Sequence, residues 1–144
     1  MWWYPPVTGI WQTVWLEPVN DQHITNLKMV PDIDTQTLHV NIESKNTTEA
    51  DRITFKISDG KSLVCEQTVT AGQIEYEAVM LPFSTTDIIS SQATFRQSIQ
   101  INIPSPKLWS PDSPFLYDVE IELYHNGKKV DQIKSYCAMR KVSI

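Results

Sequence analysis

Apolar and polar side chains alternate with a period of two along most of this chain. Leu38, Val40 and Ile42 interleave with His39, Asn41 and Glu43, and Ile53, Phe55 and Ile57 with Thr54 and Lys56. Phe95, Ile99, Ile101 and Ile103 alternate with Arg96, Ser98, Gln100 and Asn102. Phe115, Tyr117, Val119, Ile121 and Leu123 alternate with Asp118, Glu120 and Glu122. Successive side chains of a strand point to opposite faces, so this rhythm predicts strands with one face buried and the other in water. Antiparallel sheets take that form, whereas strands covered on both faces read as continuous apolar runs.

Turn chemistry fits the same picture. Asn126-Gly127 and Asp59-Gly60 separate alternating runs, and both dipeptides tolerate the positive φ angles of primed turns, which predicts two tight hairpins. Pro18, Pro31, Pro82, Pro104, Pro106, Pro111 and Pro114 fall between runs, where a missing backbone donor does no harm to a ladder. A helix would fit only around residues 84–91, where Ile88-Ile89 gives no amphipathic face. About seven short strands punctuated by turns predict an all-β fold, an immunoglobulin-like antiparallel β-sandwich.

With 144 residues, 41% of them apolar, the chain is one domain's length and has enough material for a core. The net charge of −5, from 12 Lys+Arg against 17 Asp+Glu, excludes a phosphate-binding basic surface, so nucleic acid is not an expected partner. No apolar stretch approaches the ~20 residues of a membrane helix, and no membrane association is expected. Met1-Trp2-Trp3-Tyr4-Pro5-Pro6 lacks the charged start and aliphatic centre of a signal peptide. The compartment stays open. Cys65 and Cys137 match no metal spacing and read as small buried residues, with a disulfide between them left open. Asn46-Thr47-Thr48 fits a glycosylation sequon but reads as a polar turn.

Candidate chemistry is sparse. Glu75 with Glu77, and Glu120 with Glu122, share strand faces as paired carboxylates would, yet their neighbours predict solvated outer faces rather than a pocket that raises a carboxyl pKa. Asp32 and Asp34, after Pro31, read as a turn in which Asp caps backbone donors, with a calcium site the weaker reading. His23, His39 and His125 have no paired spacing, so no metal is expected. With 4 glycines there is no phosphate-cradling loop or nucleophile elbow, and no cofactor is expected.

The first residues break the alternation. Ile10, Val14 and Leu16 occupy one face of a strand and Trp11 and Trp15 the other, which marks burial on both sides. Together with Trp2, Trp3 and Tyr4 they exceed what a sandwich with one wet sheet face covers. Residues 1–19 are therefore expected to be the tail of a different domain, and residues 20–144 the sandwich proper. Without its native cover the N-terminal segment is expected to pack back on the sandwich or to form a homodimer or strand exchange.

Four segments carry a family likeness. Gly9-Ile10-Trp11-Gln12-Thr13-Val14-Trp15-Leu16-Glu17 resembles the last strand of the sugar-binding jelly-roll in glycoside hydrolase family 2, which includes β-galactosidases, β-glucuronidases and β-mannosidases. Pro31-Asp32-Ile33-Asp34 resembles the opening of that family's immunoglobulin-like second domain. The run from Pro106 to Tyr117, with Leu108-Trp109-Ser110-Pro111, Pro114 and Leu116-Tyr117, resembles its most specific stretch. Asp131 and Cys137-Ala138-Met139-Arg140-Lys141 resemble the strand that hands the chain to a catalytic barrel, although Cys137-Ala138 replaces the family's usual aromatic-glycine pair.

The resemblance implies a parent protein that is a retaining exo-glycosidase with two barrel glutamates as acid/base and nucleophile. Neither glutamate belongs to the segments present, so this chain is expected to be inactive by itself. Its expected partners are the jelly-roll before it and the barrel after it, with carbohydrate met only through the parent. Trp11, Pro31, Asp32, Trp109, Pro111, Pro114, Tyr117 and Arg140 then have structural roles, and Trp109 is expected to close one end of the core. A free-standing carbohydrate-binding module with Trp2, Trp3 and Tyr4 as a sugar-stacking platform is the alternative. An adhesion domain is less favoured, because the predicted outer faces are charged and amide-rich.

Overall fold

The computed structural model describes residues 13–14, 16–60, 62–71 and 94–141. Their alternating runs form β1 (His23–Asp32), β2 (Thr37–Lys45), β3 (Arg52–Ser58), β4 (Leu63–Thr70), β5 (Thr94–Asn102), β6 (Tyr117–His125) and β7 (Lys128–Cys137). One sheet has the order β1-β2-β5 and the other β4-β3-β6-β7, with every pairing antiparallel. The fold is the all-β sandwich that the period of two predicts. Its fourth strand bonds to β3, giving three strands against four where constant-type immunoglobulin domains have four against three. The tryptophans at 2, 3, 11 and 15, Tyr4, the Glu75–Glu77 pair, the helix weighed over 84–91 and the last three residues lie outside the described residues.

The greasy faces meet between the sheets. Leu38, Val40 and Ile42 of β2 and Ile99 and Ile101 of β5, with Ile103 just beyond it, face Ile53, Phe55 and Ile57 of β3 and Tyr117, Val119, Ile121 and Leu123 of β6, all buried. Removing such side chains from water, at about 25 cal/mol per Å² of apolar surface, is the principal force holding the sheets together.

The two hairpins differ from each other. Asn126 and Gly127 both take positive φ, 50° and 76°, as a primed two-residue turn requires. The Asp59-Gly60 link is not that turn. Ser58 pairs with Leu63, so residues 59–62 form the connection, closed by Asp59 N donating to Ser62 O at 3.1 Å. Of the dipeptide, Gly60 alone has positive φ, 85°. Dipeptide chemistry locates a reversal, but here a register shift after Ile57 sets its length.

Cys65 and Cys137 are free thiols on β4 and β7, the opposite edges of the four-stranded sheet. Three inter-strand spacings, about 14 Å, separate those edges, well beyond the about 7 Å that a disulfide spans between Cα atoms. Burial pushes the Cys137 thiol up to about 11.

Strand direction fixes where the chain arrives and departs. Seven antiparallel crossings put residues 20–24, 46–52 and 125–130 at one end, here the upper, and residues 32–37, 58–63, 103–116 and 138–141 at the other, the lower. The two points are roughly 30 Å apart, the length of a ten-residue strand. At the upper end Asp131 joins the sheets by accepting a hydrogen bond from Ile24 N at 2.8 Å, while the Asn20 amide donates to Val130 O. Register shifts beside Ile24 and Leu123 re-aim both strands for this clasp. Val14, Leu16 and Val19, just upstream, are exposed.

Candidate functional site at the lower end

Asp131 of the family likeness belongs to the upper-end clasp, whereas Pro31, Asp32, Trp109, Pro111, Pro114, Tyr117 and Arg140 sit at the lower end. The segment between β5 and β6 is proline-rich and cannot pair as a strand, so specific bonds hold it instead. Tyr117 is buried, and its phenol oxygen accepts a hydrogen bond from Lys107 N at 2.7 Å. Its ring meets Phe115 edge-on, 4.9 Å between centroids. The Lys107 ammonium lies 4.8 Å over the Phe115 ring and 2.8 Å from Asp59 Oδ2. That hydrogen bond holds the Asp59 carboxyl below its ordinary range and raises the lysine.

Ser110-Pro111-Asp112-Ser113 folds on itself through reciprocal Ser110–Ser113 backbone bonds of 3.1 Å, with Pro111 at the second position where its fixed φ suits a turn. Phe115 N then bonds to Ser113 O at 2.9 Å, closing a three-residue turn centred on Pro114. Gln36, at φ 54°, accepts from Ile103 N through its carbonyl and from Ser105 N through its side chain.

The outgoing chain is tied to this segment. Leu108 bridges Met139 in parallel, and Trp109 N donates to Met139 O at 2.9 Å. The Arg140 guanidinium lies 4.7 Å above the half-buried Trp109 ring, a cation–π contact. Lys141 pairs with Asp34. Asp32 Oδ1 accepts from Asp34 N at 2.9 Å and from Thr35 N at 3.3 Å, the capping turn expected of it. Bonds from the Thr35 hydroxyl, then from these amides, hold the Asp32 carboxyl below its ordinary range. Val30, Pro31, Asp32, Asp34, Arg140 and Lys141 line a hollow of about 340 Å³.

Elsewhere, the Glu120–Glu122 pair is engaged by neighbouring side chains. Glu120 and Glu122 share the outer face of β6, but Glu122 is only 5% exposed, contrary to the solvated position its alternation predicts. Lys56 Nζ at 2.6 Å, Lys129 Nζ at 3.0 Å and the Tyr124 hydroxyl at 3.0 Å close over it. These donors, Lys56 foremost, pull its carboxyl down to about 2. A general acid at neutral pH needs the opposite shift. Among the described residues no group of three His, Cys, Asp or Glu side chains could hold a metal. His23 bonds to Asn20 O, His39 to Thr37, and His125 to the buried Asp51 at 2.7 Å, so the three stay apart. Asp51 also accepts from Thr48 N at 2.7 Å; the Thr-x-x-Asp spacing was its available signal. The described residues at the lower end are thus tied by turns, hydrogen bonds and ion pairs around the outgoing chain.

A family model described as "Glycosyl hydrolases family 2" matches residues 22–140. A β-galactosidase from Thermoanaerobacter pseudethanolicus is 31% identical over 93% of this chain and 16% of its own length. A putative β-glucuronidase from Formosa agariphila is 24% identical over 92% of this chain and 14% of its own. The chain thus spans only a small part of the curated relatives it matches. Among solved structures, a glycosyl hydrolase family 2 member from Bacteroides cellulosilyticus superposes with a TM-score of 0.58 at 20% identity, over 87% of this chain and 15% of that one. A Bifidobacterium dentium β-glucuronidase gives 0.54 at 18%, over 86% and 19%. At such identities these two likenesses bear on the fold alone.

Proposed function

This chain belongs to glycosyl hydrolases family 2, and we propose that it is the non-catalytic β-sandwich unit of a larger retaining exo-glycosidase. In this reading residues 1–19 end a sugar-binding jelly-roll and residues 20–144 form the spacer between it and a catalytic barrel. The arrival and departure of the chain at opposite ends of seven strands supports the reading above all. A rigid sandwich between two such points sets the distance and orientation of the domains attached to it. The function is positional, and the chemistry belongs to glutamates outside this chain. A β-galactoside is the favoured substrate class, following the name of the 31% identical relative.

The test begins with the reading frame beyond Ile144. Continuation into strand–helix repeats of roughly 250 residues with glutamates at strand ends, together with nitrophenyl-galactoside hydrolysis by the long polypeptide and none by residues 1–144, supports the spacer. A stop codon at that point overturns it. Saturable sugar binding by the 144-residue chain would then favour the carbohydrate-binding module.

A further inference from the structure

The reversal between β6 and β7 joins two residues with chemistry of their own. Asn126 and Gly127 are both exposed, and nothing lies within 4 Å of where a Cβ on Gly127 would stand. A backbone nitrogen can attack the preceding asparagine's side-chain amide most freely when it belongs to glycine, which has no Cβ to block the approach. An imidazole faces that amide, with Asn126 Nδ2 3.0 Å from His125 Nε2. Through its other nitrogen, Nδ1, the same ring is held 2.7 Å from Oδ1 of Asp51, whose side chain is fully buried. Asp51 is itself pinned, its Oδ2 accepting from Thr48 N at 2.7 Å and from the Thr48 hydroxyl at 3.3 Å.

A buried carboxylate, then an imidazole, then a carbon–nitrogen bond that can break is the order of an acid–base relay. The carboxylate accepts from Nδ1 and so leaves Nε2 to take up a proton and give it back. We propose that Asn126 is a self-modifying site, converted to aspartate and isoaspartate with the Asp51–His125 pair assisting. Gly127 N bonds to Asn126 Cγ while its proton passes to His125 Nε2. The Cγ–Nδ2 bond then breaks as Nε2 returns that proton to Nδ2, so ammonia leaves and a cyclic succinimide remains. Water opens the ring at either carbonyl, giving aspartate or isoaspartate. The primed turn opposes the first step, because ring closure takes Asn126 out of the backbone angles that the turn fixes. His125 stays in reach meanwhile, since it closes the β6–β7 ladder opposite Lys128 and is anchored to Asp51 on the loop at 46–52. Isoaspartate puts an extra methylene into the main chain and a charge beside Asp51, which a two-residue primed turn does not accommodate. The hairpin next to the Asp131–Ile24 clasp therefore loosens as the protein ages.

Incubation of the 144-residue chain at neutral pH, with peptide mapping for isoaspartate, tests this against an unstructured peptide of residues 122–131. General acid–base assistance of the usual size, about a hundredfold, outweighs the resistance of the turn, so the folded chain should convert at least as fast as the peptide. His125→Gln should slow conversion about tenfold or more, while amide exchange at residues 126–128 holds steady or rises. Asp51→Asn should do the same, and where that buried change prevents folding, the variant at the half-exposed His125 carries the test. A pair that merely braces the hairpin gives the opposite sign, since a loosened tip both exchanges and converts faster. Variants that convert as fast as the wild type, or faster, would overturn the proposal. So would a folded chain that keeps Asn126 intact while the peptide converts, an outcome that depends on no variant.

Discussion

Glu122 faces outward by parity yet is almost completely covered, and the difference is a matter of neighbours. Alternation in a strand gives the face of a side chain, not what folds over it. Lys56 from β3, Lys129 from β7 and Tyr124 two residues along converge on it from separate parts of the sequence. Glu122→Gln should lower unfolding free energy by about 1–2 kcal/mol at pH 7 in urea titrations. Its carboxyl lies at about 2 in the fold against 4.5 ordinarily, so its contribution is complete above pH 4.5 and disappears as pH falls through 2. The gap between wild type and variant should therefore close on acidification, and a gap that widens would contradict this. Tyr117→Phe leaves Lys107 N without its acceptor and should cost about 1–2 kcal/mol, read as a lower urea midpoint at unchanged m-value. Tyr117 was legible in the sequence as part of a family segment; its bond to Lys107, ten residues back, depends on how the proline turns fold.

Elements were legible where the period of two was clean. Leu38 to Ile42, Ile53 to Ile57 and Val119 to Leu123 all deliver the predicted faces to one core. The reversal at Asn126-Gly127 followed from local chemistry alone, because both residues need positive φ. The 59–62 connection did not, since its length depends on a register shift in the ladder rather than on the dipeptide. Gly127→Ala meets no atom within 4 Å, so its cost is backbone strain only, about 1 kcal/mol; thermal unfolding by circular dichroism measures it. Asp131 was visible as a family residue, but its clasp on Ile24 lies 107 positions away in sequence and gives no local signal. Asp131→Ala should speed amide exchange at Ile24 at least several-fold, with the centre of β3 unaffected.

At the scale of the molecule, composition and pattern supplied the class of fold, and the count of strands gave the polarity of the chain through it. What the sequence hid was which end of the sandwich each exposed apolar side chain reaches. The exposed Val30, Leu63, Leu108, Leu116 and Tyr136 are scattered through five segments, and only strand pairing gathers them at one end. Upstream of β1, Leu16 is 98% exposed beside exposed Val14 and Val19. The 144-residue chain should accordingly self-associate through this segment. Sedimentation at micromolar concentration should show dimers that truncation of residues 1–19 disperses, and a monomer before truncation would refute it.

The clasp between Asp131 and Ile24 has a mechanical side. β1 and β7 point the same way, and tension applied through the upstream and downstream chain pulls the start of β1 upward and the end of β7 downward. The two edge strands are thus loaded in shear, and the Asp131 and Asn20 bonds must slide rather than open one after another like a zip. A spacer strained by the motions of its neighbours would yield last along the axis that joins them, and Asp131→Ala should lower the force at which a single molecule gives way.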